Sequence, residues 1–139
     1  MSSTLATICA SLVFSVLPAT APHPVDNPEL HPVETSVIEH TNAERVRYGL
    51  RPFIVDHLLM RQARRHAAWM ARSHAMQHTS QAVAENIAMG QNSGSEVVRT
   101  WMNSSGHRAN ILNAGYTKLG VAAYKTPEGT IFWCQQFRN

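Results

Sequence analysis

Histidine is the residue type in this sequence with the clearest capacity for chemistry, because eight histidines occur in 139 residues. His74 and His78 stand four positions apart, which is the ligand spacing of zinc metalloproteases. Those enzymes place a glutamate directly after the first histidine as the general base, and here that position holds Ala75. The sequence therefore argues against a metalloprotease of this kind.

A further histidine, His66, shares one face of a predicted helix with Met70 and His74, at four-residue spacing. Alanines surround it along the chain. A histidine in such a setting is more often a hydrogen-bonded core residue than a metal ligand. We interpret His66 in that way.

Residues 1–21 predict an export signal. An apolar run over residues 5–17 is followed by Ala19-Thr20-Ala21, where we expect cleavage. The run is too short to span a membrane. No basic residue precedes it, so a disordered cytosolic N-terminus is the alternative. Four prolines then predict an extended linker over residues 22–33, which leaves residues 34–139 as one folded domain.

The two cysteines, Cys9 and Cys134, are not expected to form an internal disulfide. Cleavage of the export signal would remove Cys9 and leave Cys134 without a partner in the chain. Because Cys134 lies in an apolar segment, we expect a buried and unreactive thiol.

Composition limits the class of partner. Hydrophobic residues make up 44% and charged residues 15% of the chain, which is typical of a globular domain. The net charge is +3, and the basic residues are scattered without any run or interleaved aromatic residues. This pattern excludes a nucleic-acid-binding surface.

Cap and turn signals predict the elements that position these residues. Ser36 and Glu39 form a capping box, which predicts a first helix over residues 37–48. Asp56 caps a second helix that should run to about Met76. Two further helices are predicted over 96–103 and 107–112, and two strands over 119–124 and 130–137. Helices followed by a terminal hairpin predict an α+β domain.

Several segments resemble the CAP superfamily, named for cysteine-rich secretory proteins, antigen 5 and pathogenesis-related 1 proteins. Residues 101–112 (WMNSSGHRANIL) closely resemble the Trp-to-His signature of its bacterial members. Weaker matches follow the family's order at residues 42–45, 49–52, 84–88, 119–121 and 132–135. The resemblance covers residues 34–137. It implies a CAP (SCP) domain with a three-layer α-β-α sandwich around a mostly antiparallel sheet.

The resemblance also implies a groove that holds two histidines and two acidic residues. The matching positions in this sequence are His78, Glu85 and His107. The second acidic position holds Ser104, so the chain offers three of the four groups. The resemblance therefore does not imply a mechanism that needs two carboxylates.

Three kinds of chemistry are open to such a groove. The imidazoles of His78 and His107 could bind Zn²⁺ or another divalent metal, with Glu85 as a further ligand or an orienting group. A metal-bound water beside a carboxylate would then support hydrolysis. Without metal, His107 and Glu85 would form a base and its orienting group, with Ser104 or Ser105 as the nucleophile. A purely structural hydrogen-bond network is the third alternative.

The sequence thus predicts an exported protein of the extracellular space or cell envelope. We expect a monomer or weak dimer, with no nucleic-acid partner and no transmembrane span once the signal is cleaved. Because one fold can serve many activities, three functions stay open. They are a binding module for a lipid-like or envelope-derived ligand, a weak metal-dependent hydrolase of peptides or cell-wall material, and a scaffold that works elsewhere on its surface. The missing acidic residue favours binding.

Overall fold

The computed structural model describes residues 29–139, so the predicted signal peptide and most of the predicted linker lie outside it. The helices are α1 (Pro32–Arg47), α2 (His57–Ser73), α3 (Gly94–Met102) and α4 (Ser105–Ile111). The strands are β1 (Ile54–Val55), β2 (Ala84–Met89), β3 (Lys118–Lys125) and β4 (Ile131–Arg138). Within residues 29–139, none of the helices is long and apolar enough to cross a bilayer.

One sheet joins the four strands in the order β1-β3-β4-β2. β4 pairs antiparallel with both β2 and β3, whereas the two-residue β1 pairs parallel with β3. α2 packs on one face of the sheet, and the layer formed by α1, α3 and α4 packs on the other. The predicted α+β class, with a three-layer α-β-α sandwich and a mostly antiparallel sheet, is confirmed.

The side chains of β4 alternate between the two faces of the sheet, so this strand packs against both helical layers. Trp133 and Phe137 belong to the core shared with α1 and α3. Phe132 and Cys134 belong to the core shared with α2. Because successive side chains of a strand point to opposite faces, a strand covered on both sides has a nearly continuous apolar sequence.

α2 lies so close to β3 that position 120 has room only for glycine. A Cβ atom on Gly120 would stand 2.2 Å from the carbonyl carbon of Leu59. The main chain of α2 therefore rests directly on the sheet. This close approach determines how far the side chains of α2 reach over the neighbouring strands.

The predicted start of α1 was wrong. The helix begins at Pro32, and the main-chain N–H of His31 donates to Glu34 Oε2 at 2.9 Å. Glu34 thus takes the capping role predicted for Glu39. Pro32 is favoured at the first helical position, where its missing N–H has no helical partner to lose. The last two residues of the predicted linker consequently belong to this helix.

The predicted end of α2 at Met76 was also wrong. The helix ends at Ser73 because His74 adopts a left-handed conformation, with φ of +50°. His78 consequently lies in the loop that follows the helix. His74 and His78 therefore do not share a helix face, which removes the geometric basis of the metalloprotease spacing.

β1 and β2 were not predicted from the sequence. β2 contains Glu85 and Asn86, and neither residue type favours a strand. Six consecutive pairings with β4 hold it in the sheet, from Ala84 opposite Phe137 to Met89 opposite Phe132. β2 is an edge strand, and its two polar residues belong to the site described next.

Candidate functional site

Glu85 is the centre of a hydrogen-bond cluster on β2, and its side chain is 3% exposed. Oε1 accepts from the main-chain N–H of Thr79 at 2.9 Å and lies 2.9 Å from Nδ1 of His78. Oε2 accepts from Nε2 of Gln136 at 2.9 Å and faces Sγ of Cys134 at 3.5 Å. Both carboxylate oxygens have protein partners, so the orientation of the carboxylate is determined. These residues and His66 are called the Glu85 cluster below.

The pKa of Glu85 lies below its ordinary value even though the group is buried. Burial is the largest influence and raises the pKa, because it disfavours the charged form. Hydrogen bonds from Gln136, Thr79 and His78, and the positive charge of His66, lower the pKa and together outweigh burial. The carboxylate is therefore ionised at neutral pH.

His78 is the member of the cluster that meets solvent, with a side chain that is 59% exposed. Because Nδ1 faces the ionised carboxylate of Glu85, this nitrogen carries a proton and donates it to the carboxylate. Nε2 is then the nitrogen left for a ligand. A carboxylate behind an imidazole is the arrangement that orients metal-binding histidines.

His66 belongs to the same cluster, although the sequence assigned it to the core. Nε2 of His66 donates to the carbonyl of Gln77 at 2.8 Å and lies 3.8 Å from Oε1 of Glu85. Its ring stacks on Trp69, with the centroids 5.6 Å apart and the planes at 11°. The predicted hydrogen bond is confirmed, but the place of His66 beside Glu85 was missed. Spacing along α2 shows which face His66 occupies and does not show what lies opposite.

His107 approaches the site from α4, in the opposite layer to α2. Burial first, and the positive charge of His78 second, lower the pKa of His107. Its imidazole is therefore neutral at neutral pH. No hydrogen bond between described residues joins its ring to Glu85, which orients His78 instead. The base-and-orienter pair of His107 and Glu85 considered from the sequence is not formed.

The edge position of β2 explains how groups from both layers come together. Glu85 faces the α2 layer, and the adjacent Asn86 faces the α4 layer. Asn86 donates from Nδ2 to the main-chain carbonyl of His107 at 3.1 Å, and Asn110 of α4 donates to Asn86 Oδ1 at 2.9 Å. No strand of the described sheet lies beyond β2, so the His78 ring and the main chain of His107 lie at the same edge, on opposite faces of the sheet.

Ser104 and Ser105, the candidate nucleophiles, lie at the start of α4. Ser104 is the N-cap residue and Ser105 is the first residue of the helix. Among residues 29–139, no histidine ring or carboxylate hydrogen-bonds to either hydroxyl. The arrangement gives no support to a serine nucleophile.

A depression of about 360 Å³ lies beside the Glu85 cluster. Its lining residues are His66, Trp69, Gln77, His78, Thr79 and Ser80. Trp69 is 43% exposed and supplies the large apolar ring of the lining. The other side chains carry hydrogen-bond donors and acceptors, so the depression is polar around one aromatic surface.

The residues present fit a divalent metal only loosely. Residues 29–139 contain no group of three or more histidine, cysteine or acidic side chains placed to hold an ion. The oxygens of Glu85 already have protein donors, so Glu85 would act behind a ligand rather than as one. A metal would depend on His78 and His107, with water completing its coordination. Such a donor set suits weakly held Zn²⁺ and not a closed structural site.

Known proteins resemble this chain in both sequence and fold. The sequence model of the cysteine-rich secretory protein family (CAP) matches residues 38–137. The uncharacterized protein YkwD of Bacillus subtilis (strain 168) is 39% identical, over 75% of this chain and 46% of its own length. The chain spans less than half the length of the curated relatives it matches.

Solved structures share the fold described above. An extracellular protein of Bacillus anthracis containing an SCP domain has a TM-score of 0.68 and 25% identity, covering 80% of this chain and 45% of its own. An outer surface protein from Borrelia burgdorferi has a TM-score of 0.67 and 20% identity, covering 76% and 91%. The family match spans most of the described residues, and the α-β-α sandwich agrees with it. The chain is therefore a member of the CAP family, the cysteine-rich secretory protein family.

Proposed function

We propose that this chain is an exported CAP domain that binds an envelope-derived ligand at the Glu85 cluster, with His107 at its border. The observation that carries the proposal is the exposed His78 ring, held by an ionised and buried carboxylate at a depression. A group fixed in this way loses little conformational freedom when a ligand binds. The extracellular and outer-surface proteins of similar fold support export.

The lining of the depression favours a ligand with polar groups and one apolar face. Gln77, Thr79 and Ser80 can exchange hydrogen bonds with hydroxyl or amide groups, and Trp69 offers the face of a large ring. A hydrocarbon chain would leave those polar groups without partners, which is unfavourable. Of the two ligand classes considered from the sequence, an envelope-derived ligand suits the lining better than a lipid-like one, and we infer that this ligand is a glycan.

Tryptophan emission offers a direct test, since Trp69 is exposed whereas Trp101 and Trp133 are buried. Titration of the full chain with an N-acetylhexosamine oligosaccharide should give a saturable change in emission. The change should disappear in Trp69→Phe, and calorimetry should show binding weakened about tenfold or more in His78→Ala. Met76→Ala, an exposed change in the same loop, is the matched control. If the unaltered chain shows no saturable binding, the glycan assignment is wrong.

A weak metal-dependent hydrolase is the second candidate, favoured by the open Nε2 of His78 with Glu85 behind it. A bound divalent metal would supply a Lewis acid and an activated water. His78 and His107 would hold it, and Glu85 would orient His78. Among residues 29–139 only the Glu85 carboxylate lies at the site, and both of its oxygens already have hydrogen-bond partners. This is why hydrolysis ranks second.

Calorimetric titration with Zn²⁺ separates the two candidates. One-to-one binding should weaken at low pH, because a protonated imidazole cannot ligate, and it should vanish in His107→Ala. Turnover of peptides or cell-wall material that is lost on chelation and in His78→Ala would establish the hydrolase. Oligosaccharide binding that survives chelation would establish the binding module. If neither Zn²⁺ nor another divalent metal binds, the hydrolase is ruled out.

A further inference from the structure

A second depression, of about 410 Å³, lies where α1, α3 and α4 meet. Its lining includes His40, Glu44, Arg47, Tyr48, Arg99 and Arg108. We call it the arginine depression. It holds three of the chain's twelve basic residues and one of its nine acidic residues. Positive charge is therefore concentrated in this depression, although the net charge of the whole chain is only +3.

Two guanidinium groups of the arginine depression converge on one neutral oxygen. Nη2 of Arg108 donates to Oη of Tyr48 at 2.8 Å, and Nη2 of Arg47 donates to the same atom at 3.3 Å. Their Cζ atoms lie 5.0 and 5.3 Å from the centroid of the Tyr48 ring. Like charges repel, and a phenol oxygen offsets that repulsion less than a carboxylate would. Since each guanidinium has five N–H donors, most of these donors stay open to a ligand.

The remaining charged residues leave this positive charge largely uncompensated. Within the part of the chain that the structure describes, Glu44 is the one acidic lining residue, and its Oε2 lies 3.5 Å from Nε of Arg47. Arg99 is exposed and forms no ion pair or side-chain hydrogen bond with another residue of 29–139. Nδ1 of His40 donates to the carbonyl of Ser36 at 2.8 Å, so Nε2 is its open nitrogen. Open guanidinium donors with excess positive charge are the recognition chemistry of an oxyanion.

The helix ends offer a competing explanation for these arginines. Arg47, Arg99 and Arg108 each lie in the last turn of their helix, where a cation stabilises the helix dipole. That effect does not require the three side chains to line one depression. Arg108 also extends to the side chain of Tyr48 beside α1 and not to the end of its own helix. Stabilisation of the helix dipoles therefore does not explain why the three arginine side chains line the same depression.

We propose that the arginine depression is a binding site for the phosphate groups of an anionic polymer; that this polymer belongs to the cell envelope rests on the proposed export of the chain. A tetrahedral phosphate can accept from guanidinium groups arriving from several directions, whereas a planar carboxylate matches a single fork. The arginine side chains are exposed, so one phosphate should bind weakly. A chain of phosphates should bind more tightly because a neighbouring phosphate rebinds before the polymer leaves.

Calorimetry of the full chain with polyphosphate and with inorganic phosphate tests the proposal. Polyphosphate should bind saturably, at least tenfold more tightly per molecule than inorganic phosphate, and its affinity should fall as salt is added. Arg99→Gln/Arg108→Gln should weaken binding tenfold or more. The matched control is Arg61→Gln/Arg65→Gln, which removes the same charge from exposed positions of α2 and should change affinity less than twofold.

Three outcomes would overturn the proposal. Equal weakening in the two double variants would show that only the overall charge matters. Polyglutamate binding as tightly as polyphosphate would show that phosphate is not the preferred group. If Arg99→Gln alone left polyphosphate binding unchanged, the proposed site would be wrong. This single variant also provides the test if the double variant does not fold. His78→Ala should bind polyphosphate normally, so the result is independent of the Glu85 cluster.

Discussion

The chemistry of the Glu85 cluster depends on one buried carboxylate whose two oxygens already have partners. Oε1 accepts a hydrogen bond from the main-chain N–H of Thr79 and faces Nδ1 of His78. Oε2 accepts a hydrogen bond from Nε2 of Gln136. A carboxylate satisfied in this way cannot readily take a proton from a substrate. Its effect on a ligand is therefore exerted through His78, whose ring it orients.

Replacement of Glu85 by glutamine tests this role, since glutamine keeps the size and removes the charge. We expect the free energy of unfolding at neutral pH to fall by about 1–3 kcal/mol, because one amide oxygen cannot accept from all the donors around it. Urea denaturation followed by circular dichroism measures the change. Glu39→Gln, at an exposed position of α1, should stay within about 0.5 kcal/mol of the unaltered chain.

The same variant should alter the acid sensitivity of the fold. Because the pKa of Glu85 is lowered in the folded state, its stabilisation is fully present above the ordinary glutamate pKa of about 4.3. It is lost as the pH falls through the lower, folded-state pKa. Between about pH 5 and about pH 3, Glu85→Gln should therefore lose less stability than the unaltered chain. Equal losses would mean that Glu85 contributes nothing to acid sensitivity.

Among the elements, the end of α2 decides where His78 lies. His74 closes the helix at φ of +50°, a conformation that costs a residue with a Cβ atom roughly 1–2 kcal/mol. Had the helix continued to Met76, the loop that carries His78 to Glu85 would be shorter. The strained backbone conformation of His74 thus ends α2 and leaves the exposed imidazole of His78 in the loop that follows.

His74→Gly should raise the free energy of unfolding by about 1 kcal/mol, because glycine adopts a positive φ without strain. Gly49→Ala should lower it by a similar amount. Gly49 has φ of +73°, and a Cβ atom there would meet nothing within 4 Å, so only the backbone would be strained. Thermal and urea denaturation of both variants measure the two effects. Destabilisation by His74→Gly would show that the His74 side chain has a stabilising role of its own.

Arg45, near the end of α1, forms hydrogen bonds that connect this helix to the end of α4 and the loop after it. The side chain is buried, and its guanidinium lies 3.7 Å from the ring centroid of Phe53. It donates to main-chain carbonyls of Arg51, Ile111, Asn113 and Tyr116 at 2.7–3.2 Å. Burial lowers its pKa, but the carbonyls satisfy its donors. Arg45 therefore helps to hold α4, and His107 with it, in place.

For the molecule as a whole, the central sheet is buried on both faces, and Cys134 lies fully inside it as a free thiol. Cys9 lies outside the described residues. Burial, reinforced by the charge and hydrogen bond of Glu85, raises the pKa of Cys134 well above its ordinary value. The expected buried, unreactive thiol is thus supported by its position, and the thiol becomes a probe of global unfolding.

Thiol labelling of a Cys9→Ser chain, in which Cys134 alone reacts, tests this expectation. Ellman's reagent should not react in native buffer and should react fully in concentrated urea, since the thiolate is the reactive form. At intermediate urea, the labelled fraction should follow the unfolding transition seen by circular dichroism. Rapid labelling while the circular dichroism stays native would show local opening of the sheet around β4.

Sequence motifs were enough to predict the family and the α+β class, and they made His78, Glu85 and His107 the candidates for the site. Motifs, caps and periodicity depend on neighbours along the chain, so they can be read without a structure. The glutamine and asparagine side chains around Glu85, and the place of His66 beside it, could not be read in this way. Their contacts depend on partners that are distant in the sequence.

Which of these candidates contact one another depends on the pairing of the strands. Pairing with β4 makes β2 an edge strand, and this directs Glu85 to one face and Asn86 to the other. Glu85 consequently binds His78 and not His107. The physical reason is that strand pairing and side-chain burial gain their free energy from long-range contacts, whereas helix caps and turns gain theirs locally.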